Sequence, residues 1–271
     1  MPIIFIIENW KTDGWRWSIV MAAQLKTNGI ILQTRVMEEE DRLITVLTEN
    51  EGVITAYGKG ARRFKTKMAS ATEALSYSEL VLFRNKDQYI LDGASTLHIF
   101  FGLRSDILKL ALGCYFGQLT VDLAPRGGPA GEYIRLLLNT LSFLENGKRP
   151  AQQLKPLYEL RLLSMSGYMP DLVGCRRCGC FEAPAMLFDP LEGNLLCGGC
   201  AGEDPSAAKA LPIPASVLAA MRHIVFSEMD RLFSFQLPAP DLECLLKTVE
   251  TYLLMRTEQK YTSLDYYKSL L

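Results

Sequence analysis

Two C-x₂-C pairs, Cys175/Cys178 and Cys197/Cys200, stand 18 residues apart. Each pair presents two thiolates from one tight turn, and a tetrahedral Zn²⁺ takes four such ligands. The separation falls within the spacing that such zinc sites use. The glycines agree: Gly179 follows Cys178, Gly198 and Gly199 lie between Cys197 and Cys200, and Gly202 comes soon after. Glycine lets the backbone turn tightly enough for N–H groups to face the sulfurs. Between the pairs, Met186-Leu187-Phe188 and Asn194-Leu195-Leu196 flank Asp189-Pro190-Leu191-Glu192-Gly193, the pattern of a short hairpin.

Four thiolates close the coordination sphere and leave no position for water or substrate. The metal is therefore expected to be structural, the clip of a subdomain whose core is too thin to fold alone. Competing readings need more: two disulfides require an oxidising compartment, and a thioredoxin-like motif uses one C-x-x-C beside a βαβ unit. Cys180 is an alternative to Cys178, at a less typical distance from Cys175. Cys114 and Cys244 fall in helical patterns and are expected to be small core residues.

The chain has 271 residues, 49% of them hydrophobic, enough for a core and for two domains. Its net charge of −1 means that any nucleic-acid function must reside in a local patch. Cysteines committed to a metal fit a reducing cytoplasm. Near the N-terminus, the run Ile3-Ile4-Phe5-Ile6-Ile7 is too short to span a membrane and lacks the flanks of a signal peptide. Residues 1–24, which contain Trp10, Trp15, Trp17 and an internal Met21, read as an N-terminal extension, with an extra strand as the alternative.

From about residue 27 to 98 the texture is β: runs at 30–32, 43–47, 53–57, 80–83 and 89–91 are rich in branched and aromatic residues, with turn residues between them. Such short, closely spaced strands predict a small closed barrel over 25–100, with the OB-fold as the five-stranded candidate. After Arg104 the period becomes helical. Ile107, Leu108, Ala111, Tyr115 and Leu119 form one stripe, Ile134 to Leu144 a second, and Leu154 to Leu162 a third. The expected class is α+β: an N-terminal OB-fold barrel, then a helical domain over 101–271 with a zinc hairpin inserted at 174–202.

Lys59, Arg62, Arg63, Lys65 and Lys67 place five cations in nine residues with no acid among them. Tyr57 precedes this run and Phe64 sits inside it. Basic side chains neutralise phosphates and aromatic faces stack bases. On a barrel of this type the segment predicts nucleic-acid contact, with Arg35 at the end of the first strand extending the surface. Arg176 and Arg177 in the first knuckle are a second candidate contact. The acidic run Glu38-Glu39-Glu40-Asp41 reads as a solvated loop, with the docking of a partner's basic surface as the alternative. His98 and His223 have no partner at catalytic or metal spacing. The absence of G-x-x-x-x-G-K-[ST] predicts no NTPase activity.

Several segments together resemble the RecO family, the bacterial recombination mediators of the RecF pathway. They are Lys26-Thr-Asn-Gly-Ile-Ile-Leu-Gln-Thr-Arg35, Asp41-Arg-Leu-Ile-Thr-Val-Leu-Thr48, Gly58-Lys-Gly-Ala-Arg-Arg63, Leu157-Tyr-Glu-Leu-Arg-Leu-Leu163 with Gly167-Tyr168, the two cysteine pairs, and Ser263-Leu-Asp-Tyr266. The resemblance implies a protein that is not an enzyme. Such a protein binds single- and double-stranded DNA, anneals complementary strands, assembles with RecR and helps load recombinase on gaps. It also implies docking of the acidic C-terminal tail of single-stranded-DNA-binding protein (SSB) on the helical domain, with Lys155 and Arg161 as its expected contacts. The rival reading is a zinc-ribbon scaffold that binds protein and not DNA.

Overall fold

A computed structural model describes residues 23–37, 40–61, 67–85 and 88–271. Strands β1 (Ala23–Val36), β2 (Arg42–Thr48) and β3 (Gly52–Gly58) form an antiparallel meander. After a short helix, α1 (Lys67–Ala71), strands β4 (Ser76–Asn85) and β5 (Gln88–Ile99) form a hairpin. β4 pairs back onto β1 and β5 pairs in parallel with β3, which closes an OB-like barrel in the order β1-β2-β3-β5-β4.

Alternation along the strands decides what each face buries. Ile31, Ile44, Val46, Ile54, Ala56, Leu80, Leu82 and Leu91 fill the barrel. Ile30, Leu32, Leu47 and Val53 point the other way into a second core shared with the helices. That is why Ile30-Ile31-Leu32 is an unbroken apolar run: this strand is covered on both faces.

The helical part contains α2 (Phe101–Arg104), α3 (Ile107–Leu123), α4 (Gly131–Glu145) and α5 (Ala151–Met165). Asp106 caps α3, its carboxylate accepting the N–H of Leu108 at 3.0 Å and of Lys109 at 3.2 Å. Ala111, Tyr115 and Leu119 are buried as their stripe predicts, but Ile107 and Leu108 are exposed, because the first turn lies outside the packed face. Cys114 is also exposed, since the buried face of α3 is carried by Leu112, Tyr115 and Phe116; Cys244 is half-buried. Helix α5 is enclosed on nearly every side, with residues 153–160 all buried.

The cysteine segment follows as β6 (Asp171–Cys175), β7 (Met186–Asp189), β8 (Asn194–Cys197) and α6 (Gly198–Ala201), and then β9 (Leu211–Ile213). β7 and β8 are the expected hairpin. β6 and β9 extend it to a four-stranded sheet in the order β6-β8-β7-β9. Helices α7 (Ala215–Phe226), α8 (Ala239–Thr257) and α9 (Thr262–Ser269) complete the chain. No helix among the described residues is long and apolar enough to cross a membrane.

Barrel and helices are also joined backbone to backbone. The N–H of Val53 donates to the Pro125 carbonyl at 2.8 Å, Gly127 to Glu51 at 3.0 Å, and Ala130 to Glu49 at 2.8 Å. Gly52 makes this approach possible: its φ is +65°, and a Cβ there would sit 2.1 Å from the Pro125 oxygen.

Candidate metal centre and nucleic-acid interface

The sulfurs of Cys175, Cys178, Cys197 and Cys200 all lie within 4.8 Å of one another. Cys178 and Cys197 are 3.7 Å apart. A tetrahedron with Zn–S bonds of 2.3 Å has edges of roughly 3.8 Å, so the cluster has the size a zinc ion needs. Electrostatics agrees. Burial raises the Cys175 thiol, but N–H groups from Cys178, Cys197 and Arg177 outweigh it and bring it down to about 6. Cys200 is pushed up to about 12 beside Cys197 and Cys178. Crowded thiols cannot all ionise unless a cation sits among them, and four thiolates are the donor set of structural zinc. Cys180 is outside this cluster of four. Its carbonyl accepts the N–H of Cys175 at 2.9 Å, and the Cys178 sulfur pushes its thiol up to about 12, which keeps it neutral.

Arg176 braces this centre. It donates to Asp189 at 3.3 Å, Asn194 at 3.2 Å and Asp204 at 2.7 Å, tying the first knuckle to the hairpin turn and to the exit from α6. Arg177 donates to the Cys200 carbonyl at 3.2 Å and pairs with Glu203. Both arginines are thus engaged within the cysteine segment.

On the barrel, strand register assembles a surface that the sequence shows only as scattered residues. Arg35 on β1 pairs with Leu43 on β2, Leu43 with Tyr57 on β3, Tyr57 with Ile90 on β5, and Ile90 with Phe83 on β4. Residues paired across strands share a face. Ile44, next to Leu43, is fully buried in the barrel, so this row lies on the outer face. Arg35 and Ile90 are exposed, and Leu43, Tyr57 and Phe83 are half-buried. Ile90 and Phe83 are absent from the sequence-derived site; only strand register could have placed them there.

Tyr57 is tied down as well: its hydroxyl donates to Asp41. The other oxygen of Asp41 accepts the N–H of Gly60 at 2.7 Å, at the start of the basic segment. Asp41 is buried, so the last member of the acidic run is a structural anchor and not part of a solvated loop. Exposed Lys59 sits beside this anchor, and Lys67 opens α1. Arg62, Arg63, Phe64 and Lys65 lie outside the described residues, as do Glu38 and Glu39.

Lys155 and Arg161, expected from sequence to meet a partner's acidic tail, have partners inside the fold because α5 is enclosed. Lys155 is only 3% exposed, with its Nζ 2.7 Å from Glu159 and 2.8 Å from Glu250. Burial lowers the Lys155 ammonium, but the two glutamates outweigh it and raise it. Glu159 is raised by burial despite Lys155 and the Tyr115 hydroxyl 2.5 Å away. Arg161 donates to the carbonyls of Ile224 at 3.3 Å and Val225 at 2.6 Å, capping the end of α7. Lys155 also lines a pocket of about 300 Å³ between α5, α8 and α9, together with Leu246, Lys247, Glu250, Tyr267 and Lys268. No motif marks these later residues; helix packing brings them to Lys155.

Comparison with known proteins adds to this geometry. Residues 21–100 match the family model for the recombination protein O N terminal, and residues 104–265 match that for the recombination protein O C terminal. The DNA repair protein RecO of Acetivibrio thermocellus is 35% identical over 246 residues, 91% of this chain and 97% of that protein. The proteins of the same name from Alkaliphilus metalliredigens and Symbiobacterium thermophilum are 26% and 27% identical, over 91% and 92% of this chain and 99% and 98% of their own lengths.

Proposed function

The chain belongs to the RecO family of DNA repair proteins, and on that premise we propose that it is a non-enzymatic recombination mediator. In this reading it captures single- and double-stranded DNA, anneals complementary strands and helps load recombinase on SSB-coated single strands in the bacterial cytoplasm, at the nucleoid. The observation that carries it is the outer row Arg35–Leu43–Tyr57–Ile90–Phe83, which runs beside the start of the basic segment at Lys59. Phosphates are captured by Arg35, Lys59, Arg62, Arg63, Lys65 and Lys67, and bases pack on Tyr57, Phe64 and the apolar row. Tyr57 is half-buried, with its hydroxyl held by Asp41, so it offers bases only its exposed part.

Zinc, when bound, supplies a structural clip. Cys175, Cys178, Cys197 and Cys200 hold it, and Arg176 fixes the sheet around it. The partners are RecR and the acidic tail of SSB. The pocket between α5, α8 and α9 suits that tail better than Arg161 does, since it combines lysines with apolar Leu246 and Tyr267. The test is annealing of complementary oligonucleotides coated with SSB. Faster annealing in the presence of this protein supports the reading; an unchanged rate contradicts it.

A further inference from the structure

At the α5/α8/α9 pocket, four charges alternate in sign. Glu159, fully buried, pairs with Lys155 at 2.7 Å, and Lys155 pairs with Glu250 at 2.8 Å. Glu250 in turn pairs through its other oxygen with Lys268 on α9. Glu159 already neutralises the buried lysine from below. Glu250 is therefore a second carboxylate on Lys155, and it reaches it from the pocket lining. Its own side chain is 21% exposed and that of Lys268 is 47% exposed, so this outer pair can rearrange while Glu159 stays covered beneath Lys155.

We propose that Glu250 is an intramolecular stand-in for the carboxylate of an acidic peptide, and that a ligand of this pocket binds by displacing it from Lys155 and Lys268. This rests on the reading of the pocket as the tail site given above. Swinging Glu250 aside leaves two ammonium groups facing the pocket, with a third, Lys247, in the same lining, against one remaining side-chain carboxylate, Glu243. Leu246, Tyr267 and Leu271 line the same space, so the ligand class is a carboxylate with an adjoining aromatic or aliphatic side chain. Exchanging one carboxylate for another leaves the ionic interactions of Lys155 and Lys268 nearly unchanged. Net affinity then comes from the apolar contact and from Lys247, and the ligand binds only the fraction of molecules in which Glu250 has let go. The contact is self-inhibiting: it keeps Lys155 paired without a ligand and sets a threshold that a short acidic stretch without the apolar residue fails to pass.

The test is a fluorescence-anisotropy titration of the full chain with a labelled peptide of four aspartates ending in phenylalanine. Glu250→Gln removes the competing charge but keeps the side chain's size, and should tighten binding by roughly 5- to 10-fold, as expected when a competing closed state is removed. Glu250→Asp keeps the charge on a shorter arm and should give an intermediate affinity, which covers the case in which the Gln variant does not fold. Lys247→Glu should abolish binding in either background. If the unaltered chain binds and neither Glu250 variant binds more tightly, the stand-in is overturned while the pocket stands as the tail site. If no variant binds the peptide, or Lys247→Glu leaves binding intact, the pocket reading falls and the stand-in with it.

Discussion

Asp41 and Arg42 are neighbours in sequence, and they hold opposite flanks of the basic segment. Asp41 accepts the Tyr57 hydroxyl and, at 2.7 Å, the N–H of Gly60 on the entering side. Arg42 donates to the Ala69 carbonyl at 3.0 Å, to the Thr72 hydroxyl at 2.8 Å and to Glu73 at 2.5 Å on the leaving side. The start of β2 thus ties Gly60 on one side of the segment and Ala69, Thr72 and Glu73 on the other. A basic segment whose flanks are anchored loses less entropy on capturing phosphates than one whose flanks are free.

Removing the anchor should therefore weaken DNA binding without removing any cation. Asp41→Ala is expected to lower single-stranded DNA affinity by roughly 3- to 10-fold, about the worth of one or two hydrogen bonds. Circular dichroism should show the barrel still folded. Unchanged affinity would mean that the anchor does not serve the interface.

Reversing charge within the segment should act directly. An Arg62→Glu/Arg63→Glu double variant is predicted to lose more than tenfold in affinity at low salt. Its plot of log affinity against log salt should flatten by roughly 0.7 for each lost phosphate contact. Equal affinity and slope in the variant and the parent would remove the segment from the interface.

Metal analysis of the purified chain should give one zinc per molecule. Chelation or Cys175→Ser should expose the 171–213 sheet to protease, because ligand binding and local folding are coupled there. Arg176 cannot hold the sheet alone, since its partners Asp189 and Asp204 are positioned by the same segment. Protease resistance that survives zinc removal would contradict the clip.

Gly52→Ala tests the joint between barrel and helices. The new Cβ would meet the Pro125 oxygen at 2.1 Å in a backbone with φ of +65°. A loss of at least about 1 kcal/mol is expected, read as a lower midpoint in thermal or urea unfolding. An unaltered midpoint would mean that the joint can open at no cost.

Acid should loosen the α8–α9 side of the molecule. Burial raises the Glu250 carboxyl, but Lys155 and Lys268 outweigh it and hold it below the ordinary glutamate range. A depressed carboxyl stabilises the fold above its unfolded value, and that stability is lost as pH falls through the folded one. Glu250→Gln should therefore show a shallower fall of unfolding midpoint between about pH 5 and pH 3. Parallel curves would mean that Glu250 contributes nothing to acid sensitivity.

The barrel was legible because each strand carries its own pattern: Ile44, Val46 and Ile54, Ala56 alternate inward, and turn residues separate them. The cluster of four thiols was legible because its cysteines come as two local pairs. The outer row was not, since Arg35, Tyr57, Ile90 and Phe83 meet only through register and strand order, which no local run encodes. The α5/α8/α9 pocket was hidden for a related reason. Lys155 has the composition of a surface residue and is buried only because Glu159 and Glu250 pair with it, and Glu250 lies far along the chain on another helix. Asp41 differs from the other acids of its run in its bond to Gly60, which composition alone does not show.

The central claim is that this chain is a DNA-binding mediator and not a protein-only scaffold. Titration of a labelled single-stranded oligonucleotide, bare and SSB-coated, across a salt series tests it most directly. A mediator should bind tightly, with an affinity that falls steeply with salt and persists on the coated strand. No binding at low salt by the folded, zinc-loaded protein would contradict it.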